Sequence, residues 1–333
     1  MNTWKEKSKK QIQRLLKPRN QLRIVAWGIA LYGLSVPSIR LVAGYDPIAF
    51  PLILAATLLA ILFVVPRKYN LRTWIFYVGG LYFFTQLRDA ADETSISTYT
   101  NYVLDWELWM FNGTTPTAWL QMNVGGDKGD PGFLAFLATF THWTWFIFPH
   151  TVVIATFFFA RPLFFRTAAI VIGTFFFAVA LYYLVPTAPP WMAAEQGLTS
   201  GARRIMEDVG PLLLGQGSWD SVFEFGAAPN LNAAMPSLHF AGGFVVVILA
   251  FILRSKPLGA IAIIYSTLLC FSLMYLAEHY FIDILAGGLI AIISTVFVET
   301  ILGNGLIGRW IRRIHAQITN RWRKNESALE RLS

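Results

Sequence analysis

Eight stretches of largely apolar sequence, each near the length a helix needs to cross a bilayer, restrict this chain more than any other feature. They run at about 22–43, 47–65, 71–87, 133–159, 165–185, 237–253, 258–277 and 281–302. A spanning helix needs about 20 such residues, and in hydrocarbon only helices or closed barrels satisfy every backbone N–H and C=O. No strand-period alternation competes. The expected fold is therefore all-α, a polytopic integral membrane helical bundle of about eight transmembrane helices. Composition agrees: 55% of the 333 residues are hydrophobic and 14% charged, more apolar surface than a soluble domain can hide. The same balance excludes disorder, and the lone Cys270 excludes a disulfide scaffold.

Basic residues mark cytoplasmic loops. With the N-terminus inside, the leader, the even-numbered turns and the tail hold 22 of the 27 Lys and Arg residues. The loops at about 88–132 and 187–236 carry only Arg88, Lys128, Arg203 and Arg204, against twelve acidic residues. Both termini are thus expected in the cytoplasm, with the long loops on the extracytoplasmic or lumenal side. The expected division is a basic N-terminal segment at 1–21, a transmembrane catalytic domain at 22–302 and a basic tail at 303–333. The net charge of +8 reflects this sidedness, and no nucleic-acid partner is expected. Loops of this length on one face exceed what connection requires and point to function there. The stretch from Asn101 to Gln121 reads as one or two short amphipathic helices on the outer surface, and Trp106, Trp109, Trp119 and Trp219 as interfacial residues.

Few residues can carry chemistry in such a chain. His239 follows Met235-Pro236-Ser237-Leu238 at the outer start of the sixth span. The free N–H groups of a helix's first turn, with the Ser237 hydroxyl, suit an anion. His279 lies in Glu278-His279-Tyr280-Phe281-Ile282-Asp283, between spans seven and eight. On a continuous helix Asp283 shares its face, and a carboxylate beside an imidazole fixes its tautomer. Gly287 and Gly288 allow a neighbouring helix to approach closely. The charge count places both motifs at the same outer depth. Two histidines, a carboxylate and a helix start suit phosphoryl transfer, which needs a nucleophile, a proton donor and fixed positive charge. A zinc site built from His239, His279, Asp283 and Glu278 is the competing reading of these side chains. For His142 and His150, inside the fourth span, the simplest role is a hydrogen bond to a neighbouring helix.

These motifs resemble those of the type 2 phosphatidic acid phosphatase superfamily. More narrowly, the chain resembles its inositol phosphotransferase branch, which includes the fungal inositol phosphorylceramide synthases of sphingolipid metabolism. The P-S-x-H motif matches Pro236 to His239. The motif S-R-x-x-x-x-x-H-x-x-x-D matches at Ser272, His279 and Asp283, and Pro186 to Trp191 is similar to the branch's proline-rich element. Two departures stand out. Tyr182 occupies the lysine position of the K-x-x-x-x-x-x-R-P motif, and Leu273 the arginine position of the last motif. Another cation must then face the phosphate. Arg88, at the outer end of span three, is the first expectation. Arg203 and Arg204 are expected to be exposed collectors of an anionic headgroup.

The resemblance implies a lipid phosphotransferase or phosphatase that needs neither metal nor cofactor. His279 is the implied nucleophile that forms a phosphohistidine, Asp283 its orienting group, and His239 the acid and then the base. Ser237, Arg88, Arg203, Arg204, Tyr280 and Trp191 are the expected substrate-binding residues. The partners are a phospholipid or lipid-linked phosphate donor and a lipid hydroxyl, a polyol or water as acceptor. A lipid phosphate phosphatase remains open, as does a transporter or non-catalytic lipid-binding protein, to which Arg40, Glu299 and the two intramembrane histidines point. The sidedness is directly testable. In a background lacking Cys270, Gly217→Cys should react with an impermeant thiol reagent only from outside, and Ser255→Cys only from the cytoplasm. The reverse pattern overturns the topology.

Overall fold

A computed structural model describes residues 71–91, 98–126, 130–199, 201–222 and 232–302. The expected spans at 22–43 and 47–65, the segment 1–21, the tail 303–333, Arg40 and Lys128 lie outside the described residues. The remaining six spans all appear as helices, and no strand occurs among the described residues. In chain order the helices are α1 (Leu71–Ala91), α2 (Asn101–Met110), α3 (Pro116–Val124), α4 (Gly132–Thr144), α5 (Ile147–Phe159), α6 (Phe164–Leu184), α7 (Pro190–Glu195), α8 (Met206–Leu214), α9 (Gln216–Val222), α10 (Leu238–Leu253), α11 (Lys256–Tyr275) and α12 (Phe281–Leu302). The stretches Arg161–Leu184, Lys256–Tyr275 and Phe281–Leu302 are long and apolar enough to cross a membrane, with α5 and α10 shorter and equally apolar. Large side chains such as Phe251, Ile261, Ile264, Leu289 and Ile292 are exposed along α10 to α12. These faces suit lipid, and the chain is a multi-pass integral membrane protein.

Helix α10 is the hub, packed against α5, α6, α11 and α12. Small residues let it sit there. A Cβ on Gly243 would meet Leu269 of α11 at 3.0 Å, and one on Gly287 of α12 would lie 2.2 Å from the Ser237 carbonyl oxygen. The Ser237 N–H in turn donates to the Asp283 carbonyl at 2.9 Å. The close approach expected of the glycine pair is thus made chiefly by Gly287, which brings the start of α10 against the start of α12.

The fourth span differs from expectation. It is two helices, α4 and α5, broken at Trp145 and Phe146. Pro149 cannot donate a backbone hydrogen bond to the Trp145 carbonyl, and its ring presses on that carbonyl. The Trp145 N–H turns back to His142 at 3.1 Å instead. Tyr265 of α11 secures the end of α4 by donating to the Thr141 carbonyl at 3.0 Å.

Outside the spans, α2 and α3 form the short surface helices expected between 101 and 121, with Trp106, Trp109 and Trp119 exposed as interfacial residues would be. Trp219 is instead buried, face to face with Trp143 at 6.1 Å between ring centres. At the opposite end of the helices from His239 and His279, Arg166 forms a two-pronged ion pair with Glu299, its second bond 2.7 Å long. Glu299 therefore joins α6 to α12 and offers no midplane charge for transport.

The Gly287 contact yields a test. Gly287→Ala should lower stability by about 1–3 kcal/mol, the usual cost of overpacking, read as a fall in the thermal midpoint of the detergent-solubilised protein. Gly288→Ala, whose Cβ would sit 3.4 Å from the Phe240 ring, should change it little.

Candidate active site

The site is assembled from two chain reversals at the same end of the bundle. The first leads into α10. Ser237 is its N-cap, accepting from the Phe240 N–H at 3.2 Å, so His239 stands in the first turn. Pro236 lies just before the cap. The Ser237 oxygen and one of the orphan N–H groups expected to meet an anion are thus already engaged with each other.

The second reversal joins α11 to α12. The Ala277 N–H donates to Met274 at 3.1 Å and the Glu278 N–H to Leu273 at 3.0 Å, with Ala277 left-handed at φ 63°. This is a Schellman ending built without glycine, and a left-handed alanine costs about 1–2 kcal/mol. His279 therefore precedes α12 and does not share a continuous helix with Asp283, contrary to the expected one-face arrangement. Asp283 folds back from the first turn and accepts the Tyr280 N–H at 3.0 Å. Its carboxylate lies 3.5 Å from His279 Nδ1.

The two histidines meet. His239 Nδ1 and His279 Nε2 are 2.8 Å apart. His279 Nδ1 lies 2.9 Å from the Ala234 carbonyl oxygen. A carbonyl only accepts, so the proton of the neutral His279 ring sits on Nδ1, and Nε2 is the free lone pair facing His239. The Ala234 carbonyl, with the Asp283 charge beside it, sets this tautomer. Ala234 is itself held in place: its N–H donates to the Thr187 carbonyl at 3.0 Å, and the Thr187 hydroxyl bonds Tyr102 at 2.8 Å. Burial pushes the His279 imidazole down to about 4, while Glu278 and the Ala234 hydrogen bond act in the opposite direction.

The substituted motif positions serve the framework. Tyr182 is buried, and its hydroxyl donates to the Pro236 carbonyl at 3.2 Å. Leu273 is fully buried against Leu269 and Ile284. Of the candidate cations, Arg88 lies within electrostatic range of His239 and Tyr182, with its guanidinium 4.0 Å from Asp89. Arg204 departs from the expected exposed collector. Its side chain is 7% exposed, pairs with Glu278 at 2.9 Å and lies 4.8 Å over the Trp191 ring. Arg203 bonds Asp208 and the Gly126 carbonyl, and its backbone N–H reaches Gln121 at 2.9 Å, so it ties the second loop to α3. Tyr280 is buried against Val103 and Leu104, away from solvent. Glu278 and Asp283 are committed to Arg204 and Tyr280, and among the described residues no group of three or more histidine, cysteine or acidic side chains is placed to hold a metal ion.

Two residues at the site had no motif to announce them. Glu107, on the surface helix α2, is fully buried, accepts the Phe281 N–H at the start of α12, and is pushed up by burial to about 7. His142 stacks on His239 with ring centres 4.6 Å apart. His150 fits the simple expectation, bonding Tyr77 of α1. Neighbour identity, not local sequence, separates these two histidines.

The sequence profile of the PAP2 superfamily matches residues 100–297. The phosphoinositol dihydroceramide synthase of Bacteroides thetaiotaomicron is 29% identical over 149 residues, covering 42% of this chain and 47% of that protein. The inositol phosphorylceramide synthase catalytic subunits of Schizosaccharomyces pombe and Saccharomyces cerevisiae are 30% and 31% identical over 135 and 142 residues. These alignments cover 38% of this chain each, and 31% and 33% of the two subunits. The chain thus spans less than half the length of the curated relatives it matches. No solved structure matches it.

The His279 environment predicts a titration. Burial disfavours the charged ring, so the unfolded chain, with an ordinary histidine near 6.5, binds the proton first, and this residue lowers stability as pH falls from about 6.5 to 4. Followed by NMR of labelled histidine, the His279 midpoint should lie near 4. It should fall further in Glu278→Gln, which removes the negative charge that favours protonation.

Proposed function

The chain belongs to the PAP2 superfamily, and from that premise we propose that it transfers a phosphoryl-linked group between membrane lipids through a phosphohistidine on His279. The observation that carries this reading is the His279 tautomer: Nδ1–H bound to the Ala234 carbonyl, and the Nε2 lone pair 2.8 Å from His239. On arrival of substrate the phosphoryl group parts the two rings. His279 Nε2 bonds to phosphorus, the bond to the leaving oxygen breaks, and His239 gives that oxygen a proton. In the second half His239 takes a proton from the acceptor hydroxyl, which attacks phosphorus and breaks the N–P bond. Asp283 stabilises the positive charge that forms on the His279 ring. Ser237 shapes the turn that presents His239.

Arg88 and Arg204 replace the charge missing at Tyr182 and Leu273. Arg204, held by Glu278 and Trp191, is preorganised for phosphate oxygens, while Tyr280 supports the start of α12 from the core. The activities of the relatives favour a phosphoinositol lipid as donor and a ceramide-type hydroxyl as acceptor. The active site faces the extracytoplasmic or lumenal side, with both termini cytoplasmic, as the basic turns at the opposite end of the helices support.

His279→Ala should abolish turnover, and acid-labile, base-stable phosphate should be trapped on the wild type alone. More than about a tenth of wild-type activity in this variant rejects the covalent role. Turnover in EDTA should be unchanged. Product analysis with labelled phosphoinositol lipid, with and without ceramide, separates transfer from hydrolysis. Arg88→Ala and Arg204→Ala should each cost about 2–4 kcal/mol of transition-state stabilisation. Arg203→Ala should act on thermal stability instead.

A further inference from the structure

His142 is 8% exposed, and neither of its ring nitrogens has a hydrogen-bond partner among the described residues. A buried polar side chain left this way is costly unless something else completes it. Its position indicates what does. The ring lies over His239, 4.6 Å between centres and tilted by 30°, and His239 reaches His279 Nε2 at 2.8 Å. Arg204 and His279 are within electrostatic range of it. The helix break after Thr144 also brings the Trp145 ring edge-on to His239, at 4.6 Å between ring centres. His239 is therefore flanked by His142 and Trp145, and His142 lies within electrostatic range of the Arg204 guanidinium.

We propose that His142 is a third imidazole of the active site and a ligand of the substrate phosphoryl group, donating a ring N–H to a nonbridging oxygen. The proposal rests on the phosphoryl-transfer reading of His239 and His279. The ligand it takes is a phosphate oxygen anion, because the Arg204 guanidinium lies within electrostatic range of the ring and attracts an anion. It touches substrate, so it is a binding residue of the site and not a support for the helix bundle. Substrate binding would then give one buried ring nitrogen its hydrogen-bond partner.

The test uses the full-length protein in detergent, with inorganic phosphate as probe and binding measured by calorimetry. His142→Phe keeps the ring shape and removes both nitrogens. His142→Asn keeps a donor. His142→Phe should weaken phosphate binding about tenfold or more, the expected loss of one hydrogen bond to a charged group, and His142→Asn should recover part of it. Without phosphate, the thermal midpoint of His142→Phe should equal or exceed that of the wild type, since an unpartnered buried polar group has been replaced by an apolar one. Unchanged phosphate affinity in His142→Phe, while the wild type still traps phosphohistidine, overturns this proposal alone. A lowered thermal midpoint with no recovery of affinity in His142→Asn marks a structural histidine and also overturns it. A wild type that neither binds phosphate nor traps phosphohistidine overturns the proposal together with the reading beneath it.

Discussion

The backbone contact between the start of α10 and the start of α12 is the constraint on which the site depends. With no side chain at Gly287, the Ser237 carbonyl can lie where a Cβ would otherwise be. The Ser237 N–H then reaches the Asp283 carbonyl, and the His279 ring reaches the Ala234 carbonyl. These bonds join two reversals more than forty residues apart in sequence into one rigid corner. The distance between the histidine nitrogens is a consequence of this corner, because each ring is placed by the backbone of the other's segment. His142 lies over His239 and Trp145 meets it edge-on, both with ring centres 4.6 Å away.

Electrostatics in this corner is arranged by division of labour. Tyr182 and Leu273 hold backbone and core, and the cations within electrostatic range of the histidines, Arg88 and Arg204, stand on other segments. Arg204 is buried without being stranded, since Glu278 and the face of Trp191 both engage it. A buried guanidinium tolerates low dielectric only with such partners. Glu278 also neighbours His279 in sequence, so the residue that steadies the cation acts on the titration of His279 as well.

The surface helices are coupled to the same corner. Glu107 of α2 closes the first turn of α12 by accepting the Phe281 N–H, and Tyr102 of the same helix bonds Thr187, which holds Ala234. The extramembrane layer therefore braces the carbonyl that sets the His279 tautomer. Displacement of α2 would disturb the His279 ring through these two hydrogen bonds. This layer also buries Glu107 in surroundings that hold its carboxyl near 7.

The amino-acid sequence by itself determined the membrane class, the six described spans to within a few residues, the two surface helices and the pair His239 and His279 with Asp283. Hydrophobic length, charge asymmetry and motif spacing are local properties, and they survive without knowledge of neighbours. Tertiary structure decided the rest. It broke the fourth span at Trp145 and Phe146 under the influence of Pro149, and so turned His142 toward His239 while His150 bonded Tyr77. It buried Arg204 beside Glu278 and gave Arg203 to the framework, although the two arginines are adjacent in the chain. It placed Glu107 under α12 and let the Ala234 carbonyl, not Asp283, accept the hydrogen bond of the His279 Nδ1–H. Each of these outcomes depends on which group lies within about 3 Å across helices distant in sequence, and no periodicity or spacing along one chain encodes that distance.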